Sequence, residues 1–235
     1  MKNIPNLITC LNLLAGCMAC VMALRYNNYT GAFVFIILAS VFDFLDGLAA
    51  RLLKAYSGIG AELDSLADVV SFGLAPACII YIYLDSFSSM IHLPALPFAA
   101  FLLAIFAAIR LAKFNIDTRQ TNSFLGLPVP ASGIFWAAFI PSIVVYTQNN
   151  PVLWISIVLC LLIVFCFLMA SEIPMFSLKF KHIRWKGNEW PYSLIILSVL
   201  ILFLSYQSGV FLLGISGIII TFIGMSLIKN IISKS

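Results

Sequence analysis

Apolar runs of about 20 residues follow one another along almost the whole chain, and this feature limits the possible folds more than any other. A helix of that length rises about 30 Å, which is the thickness of the hydrocarbon core of a bilayer. Of the 235 residues, 63% are hydrophobic and only 9% are charged, whereas a soluble domain carries about 25% charged residues. The composition therefore excludes a soluble domain and predicts a polytopic membrane protein.

The apolar runs predict an all-α fold, a membrane helix bundle of about eight transmembrane helices. Short turns between the runs make neighbouring helices antiparallel. The predicted spans cover residues 7–24, 31–50, 66–84, 95–114, 131–147, 151–170, 191–206 and 209–228.

The lysines and arginines lie almost entirely on one side of these predicted spans. Of the 13 lysines and arginines, only Arg25 falls on the other side. Cytoplasmic loops of membrane proteins carry the excess of basic residues. We therefore expect a multi-pass protein of the cell (inner) membrane with both termini in the cytoplasm, together with the loops 51–65, 115–130 and 171–190.

Acidic residues are rare, and most of them lie close together in the sequence. Asp43 and Asp46 are three residues apart at the end of the second span, and Asp64 and Asp68 are four apart at the start of the third. Residues at these spacings share one face of a helix. Since the segment 52–63 is short, we expect the four carboxylates to converge at the cytoplasmic end of a helical hairpin.

Such a cluster needs a compensating positive charge. At roughly 2.5–3.5 kcal/mol for each aspartate inside a membrane, four carboxylates cost about 10 kcal/mol, and they also repel one another. Oxygen ligands without histidine or cysteine favour a hard divalent cation, Mg²⁺ or Mn²⁺, over Zn²⁺. The alternative is that these acids are ordinary helix caps and loop charges. The nearby Gly47 would let a ligand approach closely, and Arg51 would suit a phosphate.

The acidic residues also belong to a longer pattern. The stretch Asp43-Phe-Leu-Asp46-Gly47-Leu-Ala-Ala50-Arg51, followed by Gly60, Asp64 and Asp68, matches the signature D-x2-D-G-x2-A-R-x8-G-x3-D-x3-D at every fixed position. In this the chain resembles the CDP-alcohol phosphotransferase family. The resemblance implies a single transmembrane domain, 1–235, with a catalytic core of six spans in 1–170. Residues 171–235 would then be a basic loop and two additional helices.

The resemblance also implies the chemistry of the site. Two divalent cations, Mg²⁺ or Mn²⁺, would be held by the four aspartates, and Asp68 would act as the general base. The donor would be CDP-diacylglycerol, with CMP as the leaving group. The residues implied to contact the donor are Asn6, Thr9, Gly47, Ala50, Arg51, Ser57 and Gly60. Membrane lipids and a second copy of the chain are the other implied partners, and no nucleic acid is expected.

Two further blocks concern the acceptor. Residues 64–77 form one, and residues 110–115 together with 124–131 form the other; both resemble bacterial membrane-integral phosphatidylserine synthases. L-serine is a zwitterion, so its site needs a cation for the carboxylate, and Arg110 and Asn115 are the candidates. Arg110 could instead be a membrane anchor. Another acceptor, glycerol 3-phosphate or inositol phosphate, and an ion-coupled transporter remain as alternatives, although a transporter would place its acids at mid-membrane.

Overall fold

The computed structural model describes residues 3–117, 124–176, 185 and 187–232. Within these residues, eight helical segments are long and apolar enough to cross a membrane. The predicted all-α fold with eight spans is therefore confirmed. In chain order the helices are α1 (Ile4–Tyr26), α2 (Tyr29–Leu52), α3 (Gly58–Asp68), α4 (Ala75–Ile91), α5 (Leu102–Ile116), α6 (Val129–Thr147), α7 (Pro151–Ala170), α8 (Glu189–Gln207) and α9 (Phe211–Ile232).

The third span is longer than its sequence predicted. Helix α3, a π-helical stretch Val69–Leu74 and α4 form one segment of 34 residues, Gly58–Ile91, where the sequence indicated 66–84. The predicted span began between Asp64 and Asp68, because the acidic residues interrupt the apolar run, but the helix begins earlier, at Gly58. Asp64 and Asp68 therefore both lie on α3. A 3₁₀ turn, Leu96–Phe101, similarly precedes α5.

Helices α1 and α2 form a tight hairpin, and small side chains explain why. Ala15, Ala19 and Ala23 on α1 are buried, as are Ala32 and Ala39 on α2. Such residues let two helix backbones approach closely within a membrane. The hairpin therefore fixes the position of α1 relative to the end of α2, where the first pair of aspartates lies.

The centre of the bundle is built from α4, α6 and α7. Trp136 and Phe135 on α6 are fully buried, and the ring of Phe135 stacks on Phe165 of α7 with centroids 4.3 Å apart. Gly133 allows α6 to approach the π-helical stretch, because a Cβ there would lie 2.8 Å from Phe72 Cα. This packing holds the π-helical stretch, and with it the end of α3, against the core.

A short antiparallel bridge joins two loops at one end of the bundle. Strand β1 (Phe124–Leu125) pairs with β2 (Pro174–Met175). The bridge fastens the segment before α6 to the segment after α7. The predicted basic loop after α7 falls mostly outside the described residues, as does Arg119.

Candidate active site

Three carboxylates meet where the end of α2 faces α3. One oxygen from each of Asp43, Asp64 and Asp68 lies within 4.8 Å of the other two. Asp68 is only 7% exposed, and Oδ1 of Asp64 is buried without a hydrogen-bond partner. Like charges at this separation repel each other strongly in a low dielectric. An unsatisfied oxygen within such a group fits a divalent cation, so these residues could hold a metal ion.

The fourth aspartate, Asp46, lies next to this group and is held by α1. Thr9 Oγ1 donates a hydrogen bond of 2.6 Å to Asp46 Oδ2, and Asp46 is only 6% exposed. A hydrogen bond to a charged group contributes about 1.5–3 kcal/mol. The predicted convergence of the four aspartates is thus present, with three carboxylates in close contact and Asp46 oriented beside them.

Helix α1 also contacts Asp68, through a residue that the sequence analysis missed. The side-chain amide of Asn12 donates to Asp68 Oδ1 at 3.3 Å. The backbone carbonyl of Asn12 accepts a hydrogen bond of 3.0 Å from Ser71 in the π-helical stretch. Gly16 permits this approach, since a Cβ there would lie 2.8 Å from Ser71 Cα. Asn12 is completely buried, so both contacts are shielded from water.

A signal for Asn12 was present in the sequence. It lies three residues after Thr9 and six after Asn6, so the three polar side chains fall on one side of an otherwise apolar helix. A single asparagine indicates no specific chemistry by itself. That Asn12 lies next to Asp68 follows only from the packing of α1 against α3, which the sequence does not show.

A cavity of about 190 Å³ opens beside the carboxylates. It lies between the start of α1, the end of α2 and the start of α3. Asp46 and Asp64 contribute to its wall, together with all of the predicted donor contacts except Arg51. These are Asn6, Thr9, Gly47, Ala50, Ser57 and Gly60. The structure therefore brings residues from three helices to one polar cavity next to the acidic group.

Two glycines shape this cavity in different ways. Gly47 has no atom within 4 Å of the position that a Cβ would occupy, so the helix surface there is open. At Gly60 a Cβ would lie 2.9 Å from Asn6 Oδ1 and from Ser57 Oγ. The Ser57 hydroxyl accepts a hydrogen bond of 3.1 Å from the Gly60 amide and so caps α3. Gly60 therefore allows two polar side chains to meet at the cavity wall.

Arg51 lies apart from the cavity wall. Its side chain is exposed, and its Nε donates a hydrogen bond of 2.9 Å to the carbonyl of Gly47. The guanidinium is thus held near the mouth of the cavity by a residue that lines it. The remaining donors of this side chain can turn toward an anion.

The two predicted acceptor residues face different surroundings. Arg110 on α5 is only 6% exposed, and its Nε and Nη2 are buried without hydrogen-bond partners. Its charge lies near enough to interact with that of Asp68. Asn115 is exposed, donates a hydrogen bond of 3.0 Å to Ser65 Oγ and reaches Glu62 at 3.5 Å. Asn115 therefore joins α5 to α3, whereas the guanidinium of Arg110 lies 5.0 Å from the centre of the Phe114 ring and has two buried nitrogens without a hydrogen-bond partner among the described residues.

The helices long and apolar enough to cross a membrane, with a group of carboxylates beside a polar cavity, define a polytopic membrane protein with an acidic candidate active site. The chain belongs to the CDP-alcohol phosphatidyltransferase family, because the model of that family matches residues 2–162. The match includes α1 to α6 and most of α7, and it contains every residue of the carboxylate group and the cavity. Helices α8 and α9 lie beyond it.

Similar proteins support this membership along most of the chain. A protein of Bacillus subtilis (strain 168) named CDP-diacylglycerol–serine O-phosphatidyltransferase is 36% identical over 193 residues, which are 80% of this chain and 96% of the relative. A protein of Helicobacter pylori (strain 26695) with the same name is 33% identical over 97% of this chain and 89% of its own. One from Methanocaldococcus jannaschii, again with that name, is 36% identical over 63% of this chain and 65% of its own.

Proposed function

We propose that this protein transfers the phosphatidyl group of CDP-diacylglycerol to L-serine, giving phosphatidylserine and CMP in phospholipid biosynthesis. The observation that carries the proposal is the group of three carboxylates within 4.8 Å beside the polar cavity. The names of the relatives that match most of the chain support serine as the acceptor. The reaction is a substitution at phosphorus, so no oxidation or reduction is needed.

Two divalent cations, Mg²⁺ or Mn²⁺, are the proposed cofactors, with Asp43, Asp46, Asp64 and Asp68 as their ligands. The orphaned Oδ1 of Asp64 supports this assignment, as does the exclusively oxygen-based ligand set. When bound, such ions supply positive charge that offsets the charge of the pyrophosphate and of the departing CMP. Thr9 and Asn12 hold Asp46 and Asp68 in place from α1.

The cavity next to these aspartates is the proposed donor site. Asn6, Thr9, Ser57 and Arg51 supply polar groups for the nucleotide and its phosphates. The open surface above Gly47 lets the donor lie close to the helix backbone. Ala50 and Gly60, which have a small side chain and none, also line the wall. The cavity lies beside the start of α1, at one end of a candidate membrane span, so a lipid-linked donor could reach it from the edge of the bilayer.

The acceptor would react at the other side of the carboxylate group. The serine hydroxyl oxygen attacks the phosphorus that carries diacylglycerol, the bond from this phosphorus to the CMP oxygen breaks, and CMP leaves with the electron pair. Asp68 accepts the proton of the hydroxyl group. Arg110, with buried and unpaired donors, binds the carboxylate of serine, and Asn115 contributes an amide at the neighbouring α3–α5 contact.

A panel of acceptors tests the proposal. Purified protein with CDP-diacylglycerol and Mg²⁺ or Mn²⁺ should release CMP rapidly with L-serine and slowly with glycerol 3-phosphate or inositol phosphate. Those phosphorylated acceptors need a stronger anion clamp than one buried arginine provides. Release with a phosphorylated acceptor alone would move the protein to another branch of the family. Absence of CMP release with every acceptor would contradict the enzymatic assignment.

We also propose that both termini and the active site face the cytoplasm from the cell (inner) membrane. The one-sided distribution of Lys and Arg supports this orientation. Tyr56 lies just before the long third span and Ser89 lies in its last turn, and both are exposed. In a cysteine-free background, an impermeant maleimide added to cells with a permeable outer envelope should label Ser89→Cys and leave Tyr56→Cys unlabelled. The reverse pattern would invert the proposed orientation.

A homodimer is the proposed assembly, and it rests on the family resemblance alone. Light scattering of the protein in detergent should give a polypeptide mass of about twice that of one chain, whereas a single-chain mass in mild detergent and in lipid nanodiscs would contradict it.

A further inference from the structure

The segment from α3 to the π-helical stretch is joined to α5 at two levels, on either side of Asp68 and Arg110. At the outer level, the side-chain amide of Asn115 on α5 donates a hydrogen bond of 3.0 Å to Ser65 Oγ on α3. The same amide reaches Glu62 Oε2, one turn earlier on α3, at 3.5 Å. Ser65 is half-buried and Asn115 is exposed, so this outer contact lies at the edge of the protein.

The inner contact lies where α5 packs against the π-helical stretch. A Cβ at Gly73 would lie 3.0 Å from Ala107 Cβ and 3.5 Å from Ala104 Cα. Small residues of this kind let two helix backbones approach closely, and Ala107 is fully buried. The inner contact therefore fixes α5 through backbone packing, whereas the outer contact depends on side-chain hydrogen bonds.

Asp68 and Arg110 lie between these two contacts. Asp68 follows Ser65 by three residues on α3, and Arg110 follows Ala107 by three residues on α5. Because a helix rises about 1.5 Å per residue, each lies within one turn of a contact. The charges of Asp68 and Arg110 are near enough to interact. The separation between the proposed general base and the proposed carboxylate-binding cation is therefore set by how α5 lies against α3.

The outer contact is also close to the guanidinium of Arg110. The guanidinium carbon lies 5.0 Å from the centre of the ring of Phe114, which immediately precedes Asn115. Among the described residues, Nε and Nη2 of Arg110 are buried without a hydrogen-bond partner. A shift of the end of α5 would therefore move both the ring and the guanidinium relative to Asp68.

We propose that Ser65 and Asn115 are positioning residues for the acceptor step, because their hydrogen bond holds α5 at the spacing at which one acceptor molecule contacts both Arg110 and Asp68. The inference rests on the proposed function and deepens it: Ser65 gains a role, and Asn115 acts through α3 rather than by touching the acceptor. Serine carries its hydroxyl and carboxylate groups on neighbouring carbons, so it cannot adapt to a wider spacing. A displacement of about 1 Å at a reacting centre can lower a rate about 100-fold.

Removal of the Ser65 hydroxyl group is the first test. Ser65→Ala deletes the acceptor of the Asn115 amide, so the kcat/KM for serine should fall about tenfold, measured as CMP release. The KM for CDP-diacylglycerol and the Mg²⁺ concentration that gives half the maximal rate should stay within about twofold. Ser65→Thr keeps the hydroxyl group and should recover most of the loss.

Ser156→Ala is the matched control. The hydroxyl group of Ser65 donates to the carbonyl of Ala61, and that of Ser156 on α7 donates to the carbonyl of Val152, again four residues earlier in the same helix. Both substitutions therefore remove the same bond within a helix. Only Ser65→Ala also removes the bond to Asn115, so the control should leave serine kinetics unchanged. An equal loss in both variants would contradict the positioning role.

A double-mutant cycle tests whether the two residues act through one bond. Asn115→Ala should lower the kcat/KM for serine by a factor similar to that of Ser65→Ala. The double variant should then be no worse than the more affected single variant, because the bond is already lost. Multiplication of the two effects would show that the residues act independently, which would overturn the proposal.

The outcomes separate this inference from the proposed function. If the unmodified protein uses serine and Ser65→Ala keeps normal serine kinetics, the positioning role is wrong and the function stands. If the serine KM, the donor KM and the metal requirement all change equally, the contact supports the whole carboxylate group and its assignment to the acceptor step is wrong. If the protein uses another acceptor, the proposed function fails and the same variants decide the inference with that acceptor. Absence of CMP release with every acceptor would overturn both.

Discussion

Asn12 on α1 donates a hydrogen bond to Asp68 Oδ1 across 3.3 Å, and its own backbone carbonyl is held by Ser71 three residues beyond Asp68. The contact orients the Oδ1 oxygen of the Asp68 carboxylate. The π-helical stretch that begins at Val69 is therefore anchored on α1 directly after the proposed general base. Such single turns of π-helix are frequent at functional sites.

Replacement of Asn12 tests how much its hydrogen bond to Asp68 contributes to catalysis. Asn12→Leu keeps approximate size but removes the donor, so kcat should fall about tenfold or more, with the KM for CDP-diacylglycerol changed little. We expect kcat to change and the donor KM to stay similar because Asn12 contacts Asp68. Among the described residues, Asn12 is not part of the lining of the donor cavity. Leu14→Ala, on the exposed side of the same helix, is the control. A large rise in donor KM without loss of kcat would contradict the positioning role.

Removal of divalent cations should abolish activity. Asp43, Asp64 and Asp68 lie within 4.8 Å of one another, and their repulsion needs a compensating charge. Excess chelator should stop CMP release, and Mg²⁺ or Mn²⁺ should restore it. Thermal unfolding in detergent measured with and without the ion gives an independent readout, because an ion that binds the folded state raises its stability. Full activity in excess chelator would rule out a metal-dependent reaction.

The aspartates should differ in what they contribute. Asp68→Asn keeps the size of the side chain but cannot accept a proton, so kcat should fall by about 10²–10⁴ while CDP-diacylglycerol still binds. Asp43→Asn or Asp46→Asn should instead weaken metal binding and donor binding together. Metal titrations of CMP release and binding of a labelled donor measure the two effects. An active Asp68→Asn enzyme would require another base.

Gly60 and Gly58 provide a matched pair at the start of α3. In Gly60→Ala the new Cβ would lie 2.9 Å from Asn6 Oδ1 and Ser57 Oγ, whereas Gly58 has nothing within 4 Å. Gly60→Ala should displace two polar groups of the donor cavity and raise the KM for CDP-diacylglycerol about tenfold. Gly58→Ala should be close to neutral. Equal kinetics for the two variants would show that the Gly60 contact does not shape the donor site.

The sequence predicted what depends on local patterns. The eight spans follow from the apolar runs, and the spacing of Asp43 and Asp46 follows from helical periodicity. The residues brought to the donor cavity come from motifs at fixed spacing. Asn12 was not predicted, because its contacts come from segments distant in the chain. Only the packing of α1 against α3 and the π-helical stretch brings Asn12 to Asp68 and Ser71.

Arg110 and Arg51 should separate acceptor binding from donor binding. Arg110 is buried with unpaired Nε and Nη2 atoms, whereas Arg51 is exposed and bonded to Gly47 at the donor cavity. Buried donors without hydrogen-bond partners are costly, so the Arg110 guanidinium should bind an anion in the working enzyme. Arg110→Ala should raise the KM for serine much more than that for CDP-diacylglycerol, and Arg51→Ala should do the opposite.

The variant Arg110→Lys distinguishes two roles for Arg110, binding of the serine carboxylate and anchoring of the helix at the membrane surface. Lysine keeps the positive charge but lacks the planar fork that binds a carboxylate through two hydrogen bonds. The variant should therefore retain folding and expression while its serine KM stays about tenfold or more above that of the unmodified protein. If Arg110→Lys has normal serine kinetics, only the charge matters and Arg110 is an anchor. The partner of the serine carboxylate would then be sought at Lys113, three residues further along α5, and at Arg119.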